Sequence, residues 1–242
     1  RGLGFVRVDG EILHEDGLPV LTEQKVNEGI FQPDLRLGWQ NNFNYGNWSL
    51  GILVDGQIGG LIYSRSHALY NTGGTITNND DPNLDLSTLD GRIEYDISYD
   101  ENGLPVYDLI DEGGVTGPGV MYNDEGELVE NDVQVATRDY FYAYYGNGFN
   151  RDNIEAATYD ATWFKLREVR LAYQFPDDLF GEDSKIHGLT VALIGQNLAL
   201  FTEVPTIDPE TYSIRNGLFV NGFESSALPT ARSFGFSVSL QL

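Results

Sequence analysis

Cysteine is absent from the 242 residues, which excludes a disulfide scaffold, a thiolate zinc site and a cysteine nucleophile, and leaves the redox compartment open. Basic residues are scarce, and 14 Lys and Arg against 37 Asp and Glu give a net charge of -23. A surface of that sign repels nucleic acid and anionic lipid headgroups, so basic ligands, neutral ligands and cations are the company it can keep. No run of about 20 apolar residues occurs, so no transmembrane helix is expected. The first residues, Arg1-Gly2-Leu3-Gly4-Phe5, show no charged stretch followed by an apolar core, so no secretion signal is expected there. Neither absence bears on β-strands, because a barrel strand needs only about 9 to 11 alternating residues and hardly moves a hydropathy average. The mean hydropathy of -0.27 therefore decides nothing. With 41% hydrophobic residues, an ordered chain is expected.

What is present is alternation. From Ser233 to Leu242 the apolar residues Phe234, Phe236, Val238, Leu240 and Leu242 fall on one face, with Ser233, Gly235, Ser237, Ser239 and Gln241 on the other. A half-buried soluble strand shares this period, but a small, uncharged wet face suits a water-filled lumen, so a transmembrane barrel strand is the expectation to test. Leu35 to Tyr45 repeats the pattern, with Leu35, Leu37, Trp39, Phe43 and Tyr45 opposed to Arg36, Gly38, Gln40, Asn42 and Asn44. After Gly46-Asn47 the parity flips, with Trp48, Leu50, Ile52, Val54 and Ile58 apolar, as a hairpin with a very short turn requires. Phe43, Tyr45 and Trp48 crowd that turn on the apolar face, as in a membrane-interface girdle or a soluble cross-strand cluster.

A second pair starts near Trp163. Phe164 and Leu166 occupy one parity and Val169, Leu171, Tyr173 and Phe175 the other, so a bulge near Arg167 is expected. The chain then resumes with Leu189, Val191 and Leu193. Connections between the five strands alternate short and long, which is how barrels sort periplasmic turns from external loops. The long stretch after the first hairpin is expected to hold small strands of its own, such as Arg92 to Tyr99 and Tyr140 to Tyr145. Five strands cannot close a barrel, and an open edge in hydrocarbon leaves backbone groups unpaired at several kcal/mol each. Other strands must complete the sheet, and a fragment of a longer protein is expected.

The residues also resemble a known family. Ala161-Thr-Trp-Phe-Lys-Leu-Arg-Glu-Val-Arg-Leu-Ala-Tyr-Gln-Phe-Pro176, Leu193-Ile-Gly-Gln-Asn-Leu-Ala-Leu200, Asp208-Pro209-Glu210 and Pro229-Thr-Ala-Arg-Ser-Phe-Gly-Phe236 look like the end of SusC/RagA-type TonB-dependent transporters of Bacteroidetes. Gly17-Leu-Pro19, Pro33-Asp34, Asn41-Asn-Phe-Asn-Tyr45 and Asp55-Gly-Gln-Ile-Gly-Gly60 are similar to the same family. The resemblance implies an all-β fold: the C-terminal strands of a 22-stranded transmembrane antiparallel barrel with long extracellular loops, in the bacterial outer membrane. It implies nutrient import of oligosaccharides or peptides, with a SusD-like surface lipoprotein as partner. The plug, the TonB box and the early strands would lie outside these residues, so the partners would include the remaining barrel and plug, TonB, and outer-membrane lipid. Leu242 departs from the family, which commonly ends in Phe. In this frame residues 1–33 are an extracellular segment, 34–59 a barrel hairpin, 60–162 a large extracellular subdomain, 163–200 a second hairpin, 201–232 an extracellular loop, and 233–242 the final strand. A soluble β-sandwich that binds glycans and a passive porin are the alternatives.

Candidate chemistry is thin. His14, His67 and His187 lack metal-ligand spacing and read as isolated surface histidines. Carboxylates are so numerous that a pair at glycosidase spacing carries no weight, and no enzyme is expected. Asp80, Asp81 and Asp85, in and beside the loop Asn78 to Asn83, offer hard oxygen ligands for calcium without the EF-hand order. No other cofactor is indicated. Asn123 to Glu127 reads as a turn between short strands. Tyr140, Tyr142, Tyr144 and Tyr145, with Tyr212, are the candidate substrate-binding residues, because hydroxylated rings stack on sugar faces and offer polar tips. Tyr63, Arg65 and Tyr70 are weaker candidates, and Trp163 and Arg167 read as structural.

Overall fold

A computed structural model describes residues 1–73, 94–111, 114–146, 152–181, 186–205, 207–210, 213–215 and 218–241. The chain divides into two compact units. One gathers Arg1–Gly29, Tyr63–Thr158 and Phe223–Ser226, and the other Ile30–Ile62, Tyr159–Gly222 and Ala227–Leu242.

The second unit is built on five long strands: β1 (Leu35–Tyr45), β2 (Trp48–Ile58), β3 (Trp163–Gln174), β4 (Gly188–Thr202) and β5 (Ser233–Gln241). They pair antiparallel in chain order, an up-and-down meander. Tyr45 pairs with Trp48 across a two-residue turn whose Gly46 sits at φ 54°, the left-handed geometry that such hairpins need. The expected bulge is present: the register of β3 shifts between Leu166 and Glu168 against both neighbours. Across from it on β4, Asn197 takes φ 51°, a left-handed conformation that Asn tolerates better than most residues.

The faces of this sheet are inverted relative to a water-soluble protein. Trp39, Phe43, Leu193, Phe234, Phe236 and Val238 are exposed, with Phe234 at 77%. Lys165 and Gln57, by contrast, are buried. A β-sandwich would cover the apolar face with a second sheet, and among the described residues none does so. Near the short turn Trp48 packs on Tyr173 with ring centroids 4.7 Å apart, and Tyr173 meets Phe175 edge-on at 5.0 Å. This extends the expected aromatic cluster along one end of the sheet.

The first unit has the ordinary arrangement. Glu11–Glu15 pairs antiparallel with Arg7–Val8 and Leu18–Pro19, and parallel with Val120–Tyr122, which in turn pairs with Leu128–Glu130. The turn Asn123 to Glu127 forms as expected, with Asn123 Oδ1 accepting from the backbone N–H of Glu125 and Glu127. Glu94–Tyr99 is a strand paired with Pro105–Asp111. Two helices complete the unit, α1 (Arg65–Thr72), capped by Ser64 on the N–H of His67, and α2 (Thr137–Tyr145).

Helix α2 corrects the expected strand at Tyr140–Tyr145. The alternation of Tyr140, Tyr142 and Tyr144 suggested period two, yet Tyr140 stacks on Tyr144 at 6.0 Å and Phe141 on Tyr145 at 6.3 Å, both i,i+4 pairs. Tyr140, Tyr144 and Tyr145 have no exposed surface. Burial of that aromatic stripe outweighs the strand preference of Tyr and Phe. Two of the three histidines also differ from expectation, while His187 is exposed. His14 is enclosed, its Nδ1 3.0 Å from the Ile12 carbonyl and its Nε2 3.3 Å from the Tyr140 hydroxyl. His67 is buried beside Asn71, at 2.9 Å. Both are polar core residues, and burial pushes the His14 pKa down.

Candidate functional site

The polar face of the β1–β5 sheet carries a dense ion cluster. Lys165 lies on β3 opposite Asp55 of β2, and Arg167, two residues later and at the bulge, falls on the same side by the ordinary alternation of a strand. The connection from β4 to β5 supplies the rest. There Asp208 Oδ1 accepts from the N–H of Glu210 at 3.0 Å, a tight turn that presents two carboxylates together. Lys165 Nζ donates to Asp208 (2.7 Å), Glu210 (2.6 Å) and the Thr230 hydroxyl (3.3 Å), so all three of its protons are engaged. Arg167 grips Asp55 through Nε and Nη2 at 3.1 and 2.8 Å and Glu210 through Nη1 and Nη2 at 2.9 and 2.7 Å, with Asn197 Oδ1 at 3.3 Å. Both cations also lie over the Trp163 ring, at 5.3 and 5.7 Å from its centroid.

A lysine 1% exposed is costly unless its charge is matched, because desolvation takes several kcal/mol from each ion. Here two cations face three carboxylates. Burial pushes the Asp208 and Glu210 pKa values up, but the hydrogen bonds from Lys165 and Thr230 to Asp208, and from Arg167 and Lys165 to Glu210, outweigh it. Both carboxyls are held below the usual carboxylate range. The cluster thus ties the β4–β5 connection to the polar face of the sheet. Its carboxylates are engaged as acceptors, so the arrangement holds and positions rather than transferring protons.

Beside the cluster lies a cleft of about 840 Å³ in the same unit, with Phe31, Arg36, Asp55, Gln57, Trp163 and Glu210 among its walls. The volume falls within the range of small-molecule sites, roughly 300 to 1,000 Å³.

Comparison with known proteins places this geometry. No family model matches the chain. TonB-dependent receptor P26 of Formosa agariphila is 33% identical over 84 residues, 34% of this chain and 8% of that protein. The RagAB peptide importer in its closed-closed state has the same fold over 99% of this chain, with a TM-score of 0.54 at 13% identity. The open-open state matches over 100% of the chain, with a TM-score of 0.53 at 14% identity. The chain is thus similar in sequence, over about a third of its length, to a TonB-dependent receptor, and it shares the fold of part of the RagAB importer. The chain spans 22% of the length of the RagAB importer chain that it matches.

In this chain the expected binding residues scatter. Tyr140, Tyr144 and Tyr145 are core residues of the first unit, and rings without an accessible face have no surface on which to stack a ligand. Tyr142 is half-buried, with the Arg138 guanidinium 5.5 Å from its ring centroid. Tyr212, Asp80, Asp81 and Asp85 lie outside the described residues. Among the described residues no group of three metal-ligating side chains is found. Sequence reasoning passed over Lys165 and treated Asp208 and Glu210 only as a family pattern. A readable signal existed in two basic residues, Lys165 and Arg167, on the wet side of a strand at an expected bulge, since cations there require acidic partners.

Proposed function

We propose that the chain is the C-terminal barrel portion of a TonB-dependent outer-membrane importer that takes up oligosaccharides or peptides together with a SusD-like surface lipoprotein. The observation that carries this is the inverted sheet: a continuous apolar face on five meandering strands, opposed to a face that buries Lys165 and Gln57. Lipid on one side and an aqueous lumen on the other account for both faces at once. The two edges of the sheet, β1 and β5, then pair with further strands of the same protein, which removes the edge problem in hydrocarbon. Residues 60–162, 1–33 and 201–232 lie on the external side in this reading, and the Gly46-Asn47 turn and the link from β3 to β4 lie on the periplasmic side. The importer named among the structural relatives is a peptide importer, which supports peptides beside glycans as substrates.

The test is the denatured intact mass of the polypeptide extracted from outer membranes with antibodies to these residues. A species several times heavier than 26.9 kDa that shifts on heating as barrels do is the expected result. A water-soluble 26.9 kDa species that is monodisperse without detergent would overturn the proposal.

A further inference from the structure

We propose that His14 is an acid switch built into the first unit: a neutral imidazole held against helix α2, whose protonation loosens the aromatic core around it while the sheet unit keeps its structure.

The hydrogen bonds of the ring fix its charge state. His14 is 2% exposed and lies within the strand Glu11–Glu15. The Ile12 carbonyl can only accept, so the Nδ1 3.0 Å from it carries the proton. Nε2 is then a lone pair, and the Tyr140 hydroxyl 3.3 Å away donates to it. A second proton on Nε2 would reverse that contact. The hydroxyl would have to accept, and its own proton would lose its acceptor in a residue with no exposed surface. The backbone closes in on the pair as well, since a Cβ at Gly119 would strike the His14 ring and one at Gly117 the Tyr140 ring.

No acid stands ready to balance an imidazolium there. On its own strand and the turn after it, Glu11, Glu15 and Asp16 are exposed. Of the strands beside it, Arg7–Val8 carries Arg7, which pairs with Glu155, and Leu18–Pro19 carries no charge. Val120–Tyr122 carries only Tyr122, which is exposed, as is Glu130 on the strand beyond. On α2, Arg138 and Asp139 are exposed. Tyr140 is the titratable side chain that meets the ring, and burial pushes its pKa up, so it stays protonated. Burial likewise pushes the His14 pKa down, against the pull of the Ile12 and Val120 carbonyls.

The ring sits where a small shift has leverage. Tyr140 stacks on Tyr144 at 6.0 Å, and Tyr144 meets Phe5 at 4.7 Å and Tyr145 at 5.1 Å. Moving Tyr140 to admit a proton therefore disturbs the whole aromatic stripe. The unfolded chain takes up this proton near pH 6.5 and the folded unit does not. Stability is thus complete above about pH 6.5 and is lost as the pH falls below it, toward the lower folded value. For one proton, the equilibrium constant for opening rises about 10-fold per pH unit. The carboxylates of the ion cluster respond only below about pH 4, so in mild acid the first unit responds alone.

The experiment is hydrogen exchange read by mass spectrometry on the full-length protein from about pH 7.5 to about pH 5, each rate divided by the chemical rate at that pH. Peptides of α2 should lose protection about 10-fold per pH unit below about pH 6.5, while those of β3 stay constant. His14→Asn keeps a donor toward Ile12 and His14→Gln an acceptor toward Tyr140, and neither titrates. Whichever of them protects α2 at the upper pH should give a flat profile, and His67→Gln should keep the slope of the parent. A flat parent profile, an equal loss in β3, or a slope that survives the loss of His14 would each overturn the switch. If both His14 variants leave α2 unprotected at every pH, the parent profile set against β3 decides alone.

Discussion

The two units of this chain solve opposite solvent problems with the same amino acids. In the first, Tyr140, Tyr144, Tyr145 and Val115 are sealed inside, and charged residues such as Arg7 and Glu155 pair near the surface at 2.6 Å. In the second, Phe234, Phe236 and Leu193 stand outside while Lys165 is almost wholly enclosed. Exposed apolar residues are unremarkable singly, but a continuous band of them across five strands marks a surface meant for something other than water. Burial alone therefore does not identify a core. What identifies it is which partner each face has, ions and amides on one side of the sheet and nothing from the described residues on the other.

That contrast is open to disruption from either side. The largest effects should come from the interiors. Tyr144→Ala removes a ring that meets Phe5 at 4.7 Å and Tyr145 at 5.1 Å, and should destabilise the first unit by about 3–5 kcal/mol, seen as lost hydrogen-exchange protection across α2 with the sheet unit unaffected. Lys165→Met removes the cation from Asp208 and Glu210. It should cost about 3–5 kcal/mol and expose the β4–β5 connection to protease, because breaking a buried pair leaves its carboxylates uncompensated.

The apolar face should respond to charge in proportion to its depth in lipid. Val238→Arg should impair barrel assembly by about 2–4 kcal/mol if it lies near mid-bilayer, measured as heat-modifiable barrel in the outer membrane, whereas Ser237→Arg on the opposite face should assemble. In the second unit acid should act more gently, and only on the ion cluster. Asp208 and Glu210 have folded pKa values below their unfolded ones. Their contribution is therefore present at neutral pH, above the unfolded values of about 4, and is lost as pH falls through the lower folded values. Proteolysis of the β4–β5 connection should thus stay slow at pH 6 to 7 and accelerate below about pH 4. The smallest effect should come from Tyr142→Ala, within about 0.5 kcal/mol, since this side chain stands outside the aromatic core. A large loss of stability there would place Tyr142 in the packing of the unit.

The strands were legible in the sequence because period two, a parity flip at Gly46-Asn47 and a parity change near Arg167 are local signals. Even the bulge could be placed from the switch between Leu166 and Val169. Helix α2 was not legible for a reason equally local: Tyr-Phe-Tyr-Ala-Tyr-Tyr satisfies both an alternating pattern and an i,i+4 pattern, and only the packing of Phe5 and His14 against it decides. The two cations of the ion cluster were readable, but their acidic partners were not, because Asp55 and Asp208 are far from Lys165 in sequence and joined to it only by strand register and a folded-back connection. The first unit was equally hidden, since residues 1–29 and 63–158 each read as separate segments until tertiary structure joined them.

The central claim is that the apolar face of this sheet meets lipid and its polar face meets water. Spin labels placed singly at each residue from Ser233 to Gln241, with the protein reconstituted in bilayers, test it most directly through collision rates with oxygen and with a water-soluble nickel complex. The account predicts that 234, 236, 238 and 240 collide with oxygen and are shielded from nickel, with the reverse at 235, 237 and 239. Nickel access without alternation along β5 would contradict it.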